Sequence, residues 1–561
     1  MPAPDTARQR DLILDAKSRG KGATLRTYLR LSGPGWLQSA ITLGGGSLAG
    51  SLYLGIIGGY ELMWLQPLMM IFGIVMLSAI AHVSLSSGAH PFRALNTHVS
   101  PVLGWAWIVA TVMANLVWAM PQFSLGTAAL RQNLGLFTFA GGELICAALL
   151  LVVAALVVWL YDSSSRGYRV FDILLKLMVA IVVGSFFMVV VMLATSETGL
   201  PWGRILSGFI PDPGLIFRPA DSLRGFVEQS SAPEYWHRAV VSAQRDRMVA
   251  AAATAVGINM TFLLPYSMMK RGWDRNFRGL ARFDLATGLF IPFFFATSFV
   301  VIAAASQFHA RPEAGLLLGG ESVPAALVEA YRNNLAGMLE ATGSDPDRAT
   351  MAKLPEADRI LAATLIKRDA FALANSLQEF AGGRGAQLVF GFGVVGMALS
   401  SIIILMLING FAVCEMLNRP LHGWTYRLGC LLPACSGALG ALFLWSGKAQ
   451  FYLAVPTSRF GMVLLPIAYI AFFCLMNSRT LLGDDLPKGK ARIAWNTLMG
   501  LAILLALTGA AISILNDTDH IPGTAIPIRN VALLVLAALA LLATILHFTR
   551  DQRTNPPRSN P

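Results

Sequence analysis

Residues 33–64 read GPGWLQSAITLGGGSLAGSLYLGIIGGYELMW. The stretch carries no charge before Glu61 and sets Gly44, Gly45 and Gly46 side by side near its centre. It is longer than the ~20 residues a helix needs to cross ~30 Å of hydrocarbon. In lipid every backbone N–H and C=O needs an internal partner, so a spanning segment is a helix or a barrel strand. Unwound backbone at mid-depth is tolerated only where it is buried or lines a cavity. Three consecutive glycines there, followed by Ser47 and Gly50, predict a helix broken near the membrane centre.

The rest of the chain supports that reading. Of 561 residues, 55% are hydrophobic and 13% charged, against roughly 25% charged in soluble domains. Apolar runs recur near 33–57, 61–85, 102–130, 138–161, 168–195, 248–269, 284–308, 385–416, 424–446, 450–476, 492–515 and 527–549. They are too long and too uniformly apolar for barrel strands. The expectation is an all-α integral membrane protein of about twelve spans.

The net charge of +12 does not point to nucleic acid, because the basic residues sit in short loops. Arg8, Lys17 and Arg26 lie in the N-terminal tail, Lys270, Arg275 and Arg282 in the sixth-to-seventh connection, Lys488 and Arg492 in the tenth-to-eleventh, and Arg550 and Arg558 in the C-terminal tail. The intervening short loops hold one each: Arg131, Lys448 and Arg529. By the positive-inside rule both termini are cytoplasmic, in a plasma membrane and most simply a bacterial inner one. The polar, basic first 30 residues show no cleavable signal peptide. Two long connections, about 196–247 and 309–384, fall outside. The first holds Pro201, Pro211, Pro213, Pro219 and Pro233 and reads as largely irregular; the second contains amphipathic patterns over 322–340 and 356–380.

A second interruption sits in the sixth span, where Gly257, Asn259, Met260 and Thr261 precede Pro265. Paired breaks at matching positions of two five-span halves point to an inverted-repeat transporter with its site at the midplane. The remaining intramembrane polar groups are Asn115, Gln122, Ser458 and Arg459 as candidate wall residues, with His82, Lys176 and Glu415 nearer span ends. Met260 is turned ~100° from Asn259 on a regular helix and should face elsewhere unless the helix is unwound there. Enzyme signatures are missing: Gly391, Gly393 and Gly396 form GxGxxG inside an apolar span with no preceding strand, which is helix packing. Cys146, Cys414, Cys430, Cys435 and Cys474 form no ligand pattern. No cofactor is expected.

The sequence resembles the Nramp family of proton-coupled divalent-metal transporters. Gly33-Pro34-Gly35-Trp36-Leu37 through Gly59-Tyr60-Glu61-Leu62-Met63-Trp64 is similar to the family's first span, GPGFL…GYKLLW. Tyr426-Arg427-Leu428 with Pro433-Ala434, and Leu465-Pro466 through Asn477-Ser478-Arg479, are similar to its ninth and tenth. The resemblance covers roughly 30–310 and 385–515 and implies a LeuT-type fold, an inverted 5+5 helix repeat plus two extra transmembrane helices. The domains would be a tail over 1–32, a first repeat over 33–195, an outer loop over 196–247, a second repeat over 248–476 with its insertion at 309–384, added helices over 477–549 and a tail over 550–561. Coupled protons would be a partner alongside the metal.

The site departs from the family. Its DPGN falls on Gly44, Gly45, Gly46 and Ser47, its sixth-span methionine on Asn259, its histidine on Thr261 and its tenth-span glutamine near Ser458. Family membership implies a divalent metal, and amide oxygen at Asn259 would suit hard ions. A fixed Arg459 beside an uncharged cavity would instead suit an anionic or zwitterionic solute, received by free amides at Ser47, unless Arg459 snorkels outward. A receptor or scaffold that keeps the fold without transport is the third reading.

Overall fold

The computed structural model describes residues 6–163, 165–196, 199–311, 316, 325–366, 384–443 and 454–515, with 530, 533, 534 and 537 beyond them. Among these residues every regular element is helical. Ten helices are long and apolar enough to cross a membrane, and the bent pair Pro34–Thr42 and Gly45–Gly58, 57° apart, makes a further crossing. These match the first eleven expected spans; the twelfth, 527–549, lies outside the described residues except for 530, 533, 534 and 537. The protein is a multi-pass integral membrane protein.

The interrupted first and sixth spans cross the centre. Helix Gly45–Gly58 lies against the seventh span and the first part of the sixth, and glycine makes that approach possible. A Cβ on Gly55 would sit 2.6 Å from the Val301 carbonyl oxygen, and one on Gly50 would sit 3.0 Å from the Ala251 Cα. Small residues let helices approach closely in lipid, where dispersion rather than water exclusion drives association.

On the face that carries the N-terminal tail, the start of the first span is held across the chain. The Asp284 carboxylate, 1% exposed, accepts from the Gly33 amide at 3.0 Å, the Gly35 amide at 2.5 Å and the Ser32 hydroxyl. These are the orphan donors of a helix N-terminus. Beside it Arg271 bonds Asp172 at 3.1 Å, and Lys176 pairs with the same carboxylate at 2.8 Å. Glu415 binds His90 and Arg93, and His82 meets the Asp485 carbonyl at 3.0 Å. All three span-end groups thus have partners on this face.

The opposite face, here the loop face, differs from expectation. The 196–247 segment is not irregular: it forms helices Trp202–Ser207 and Asp221–Gln229, and the sixth-span helix starts at Pro233 rather than near 248. Pro201 and Pro233 stand at helix starts, where the missing N–H costs nothing and the fixed φ is already helical. Helices Ala325–Ala341 and Glu356–Thr364 match the amphipathic patterns read there, and 367–380 lies outside the described residues. Together they enclose a second core around Trp236, Leu335 and Leu361. At its centre the fully buried Asp358 accepts from the Trp236 indole N–H at 2.6 Å and the Ser231 amide at 3.0 Å.

This module is tied to the spans. Glu61 accepts from the Asp221 and Ser222 amides at 2.7 and 3.0 Å, capping helix Asp221–Gln229 from outside. His309, just past the seventh span, places Nδ1 2.9 Å from the Ile56 carbonyl and Nε2 2.7 Å from the Ser222 hydroxyl. Burial holds the His309 pKa below the usual histidine value, against the Ile56 hydrogen bond and the Glu61 charge.

Two outcomes follow. Asp358→Ala strands two buried donors at about 1–3 kcal/mol each; limited proteolysis should cut the loop-face helices faster in that variant than in Asp358→Asn. For His309, the unfolded chain binds a proton near pH 6.5 and the folded chain only at lower pH. The unfolded state therefore holds more protons in that window, and stability falls as pH falls through it. Melting temperature followed from pH 7 to 5 should decline more steeply in the wild type than in His309→Gln.

Candidate functional site

The break in the first span lies between Thr42 and Gly45. Leu43 leaves the helical region (φ −82°, ψ 58°) and Gly44 is extended (φ −111°, ψ −177°). Gly44 is also where space runs out, since a Cβ there would lie 2.4 Å from the Ser401 hydroxyl oxygen. In the sixth span, helix Pro233–Ala253 ends in a turn, and Gly257 (φ −81°, ψ 161°) restarts the helix at Ile258.

A cavity lies between the two breaks. From the first span it takes Ile41, Thr42, Gly44, Gly46 and Ser47; from the sixth, Thr254 and Met260. Trp118, Pro121 and Gln122 close one side, and Thr457 and Ser458 another. The space is about 20 Å³. A single water needs about 10–15 Å³, so this conformation leaves room for one water or one bare ion.

The polar groups around the cavity have a definite sense. The Ser47 hydroxyl donates to the Thr42 carbonyl, Thr42 to the Gln38 carbonyl at 2.8 Å, and Thr254 to the Ala251 carbonyl at 2.7 Å. A hydroxyl has one proton and two lone pairs; Ser47 and Thr254 turn theirs back to helix carbonyls, Thr254 also accepting from Gln66 Nε2 at 3.4 Å, while Thr42 has both the Gln38 carbonyl and the Met260 sulfur as acceptors. The Met260 sulfur lies 3.0 Å from the Thr42 hydroxyl. The amide that opens helix Gly45–Gly58 is already taken: Gly45 N–H donates to Gln122 Oε1 at 2.9 Å. No lining residue carries a charge.

Of the candidate residues, Gly44, Gly46, Ser47, Gln122, Met260 and Ser458 line this cavity. Gly45 stands behind it through its bond to Gln122, and Gly257 sets the sixth-span break. Asn259 does not line it. Its Oδ1 accepts from the Met260 amide at 2.9 Å, and the residue is fully buried in the first turn of the restarted helix. The unwinding before Ile258 thus brings Met260, not Asn259, to the first-span break. Thr261 accepts from the Trp107 indole at 3.0 Å, and Asn115 bonds Asn409 at 3.3 Å; both join helices elsewhere. Arg459 points away and donates to the Ser513 carbonyl at 3.0 Å, in the eleventh span. Thr42, Trp118, Thr254 and Thr457 went unread. Two are hydroxyls at the last turns before breaks, and Trp118 lies one turn before Gln122.

Residues 35–339 and 360–515 match the family described as natural resistance-associated macrophage protein-like, Nramp. The chain belongs to the Nramp family. A curated relative, the manganese transporter pdt1 of Schizosaccharomyces pombe, is 25% identical over 224 residues, 38% of this chain and 42% of that one. The chain thus matches less than half of that relative's length. Among solved structures, a mutant of the Eremococcus coleocola manganese transporter superposes with a TM-score of 0.63 at 14% identity, covering 93% of this chain and 94% of that one. The same transporter in complex with an aromatic bis-isothiourea substituted compound gives 0.61, with the same identity and coverage. These likenesses show the fold: this Nramp chain has the LeuT-type architecture.

The Gln122 contact supports the broken helix directly. Gln122→Ala should destabilise the fold in detergent by about 1–3 kcal/mol for the stranded Gly45 donor, read as a lower melting temperature. Gln122→Glu, which keeps an acceptor, should recover most of the loss.

Proposed function

We propose that this protein is a secondary transporter that carries a metal cation across the membrane by alternating access, through the cavity between the two helix breaks. The observation that carries this reading is the orientation of the lining hydroxyls. Ser47, Thr42 and Thr254 line the cavity with oxygens whose protons go to helix carbonyls or, at Thr42, also to the Met260 sulfur, and the Met260 thioether joins them in the wall. Oxygen lone pairs and a soft sulfur receive a cation. An anion would need positive charge, and no lining residue carries one. Arg459, the fixed charge on which an anionic solute would depend, is turned toward Ser513. The manganese transporters among the relatives agree with a metal as cargo.

The divergence from the family pattern is part of the proposal. Gly44–Ser47 supply no carboxylate, and the thioether enters from Met260. The tail face is the cytoplasmic one, and the five-plus-five segmentation with added helices is the working unit.

Purified protein in proteoliposomes should take up cations saturably, and Met260→Ala should cut uptake about tenfold or more. Absence of flux for every metal tried would leave a receptor or scaffold as the reading. Orientation is checked separately. Single cysteines replacing Arg275 or Lys488 should label only from the cytoplasmic side, and one replacing Asn334 only from the other. Labelling of positions 275 and 334 from one side would reverse the assignment.

A further inference from the structure

The charge that the cavity can accept is limited by what surrounds it. The chain has no aspartate or glutamate over residues 33–60, 62–142, 247–273, 285–312, 385–414 or 416–483. Those stretches contain every residue that lines the cavity. Buried carboxylates exist, but toward the two faces and already engaged; on the loop face Asp358 holds Trp236 and Ser231. Asp284 holds Gly33 and Gly35, Glu415 holds His90 and Arg93, and Asp172 holds Arg271 and Lys176.

Asp246 and Arg247 stand side by side two turns before Thr254, the Arg247 guanidinium 5.0 Å from the Tyr53 ring centre, so this neighbouring pair adds no net charge. Helix dipoles add none either. Both breaks bring a negative C-terminal end (Thr42, Ala253) and a positive N-terminal end (Gly45, Ile258) to the same place, and ends of about half a charge each cancel in pairs.

An ion entering here exchanges its water shell for neutral oxygens and one sulfur. The Born cost of leaving water rises with the square of the charge, so it is about four times larger for a dication than for a monocation of equal radius. The gain from neutral dipoles rises only with the first power. In a space of about 20 Å³ a doubly charged ion cannot keep its hydration shell to escape that cost.

We infer that the cation this cavity accepts carries a single positive charge, and that Met260 biases it toward soft monovalent ions. The inference rests on the cation-transport reading above and narrows its substrate class. The missing carboxylate is then not a defect of the site but its selectivity: a fixed negative charge would be needed to admit a dication and would trap a monocation.

The test compares wild-type proteoliposomes with Ag⁺, Tl⁺, Na⁺ and Mn²⁺ as the only permeant cation in turn. Uptake of Ag⁺ or Tl⁺ should exceed that of Mn²⁺ by about tenfold or more, and Met260→Leu should reduce Ag⁺ and Tl⁺ uptake toward the Na⁺ level. Ser47→Asp, which places a carboxylate at the break, should raise Mn²⁺ uptake relative to Tl⁺. Wild-type uptake of Mn²⁺ at or above the monovalent rates overturns the single-charge inference and leaves cation transport standing. No uptake of any of the four overturns both. Should Ser47→Asp fail to assemble, the wild-type comparison decides alone.

Discussion

A peptide group inside a bilayer has no water to turn to, and the architecture follows from that constraint. A continuous helix satisfies it without help. A helix broken at mid-depth exposes several donors and acceptors, each of which needs a partner supplied by another element. In this chain the partners can be named. Asp284 takes the amides at the start of the first span, and Gln122 takes the amide after its break. Thr42, Ser47 and Thr254 occupy carbonyls at the broken ends. The cavity exists because these five side chains hold two interruptions open at the same depth.

The same constraint explains why the cavity is lined as it is. A hydroxyl at a helix end satisfies a carbonyl with its proton and leaves lone pairs toward the gap, so repairing the backbone creates acceptors as a by-product. Met260 adds sulfur where a strict helix would have turned it away. Selectivity and structural repair are therefore carried by the same atoms, and a substitution that alters one alters the other.

Much of this was legible in the sequence. Three glycines at the centre of an apolar run announce a break, and Asn259 with Pro265 announces its counterpart, although the break itself falls before Ile258 and Pro265 stays inside the helix. The wall was only half legible. Gln122 and Ser458 stand out as polar residues in apolar spans, whereas Thr42 and Thr254 look ordinary until the helix ends beside them are known. Asn259 stands out as an amide in an apolar span at the place of the family methionine, but its Oδ1 is turned to the Met260 amide in the first turn of the restarted helix, and it is Met260 that lines the cavity. The prolines of the 196–247 segment misled for a related reason. Proline breaks a helix from within but begins one readily, and only the neighbours of Pro201 and Pro233 in space show which applies.

Helix Pro233–Ala253 joins the loop-face module at one end and the sixth-span break at the other, without interruption. Its 21 residues span about 30 Å. It is therefore a lever whose fulcrum is Thr254. A tilt of about 6° at the fulcrum sweeps the far end through about 3 Å, roughly one residue of strand or two of helix. The gearing runs both ways. A molecule that grips the exposed side of the loop-face helices acquires mechanical advantage over a cavity it never touches.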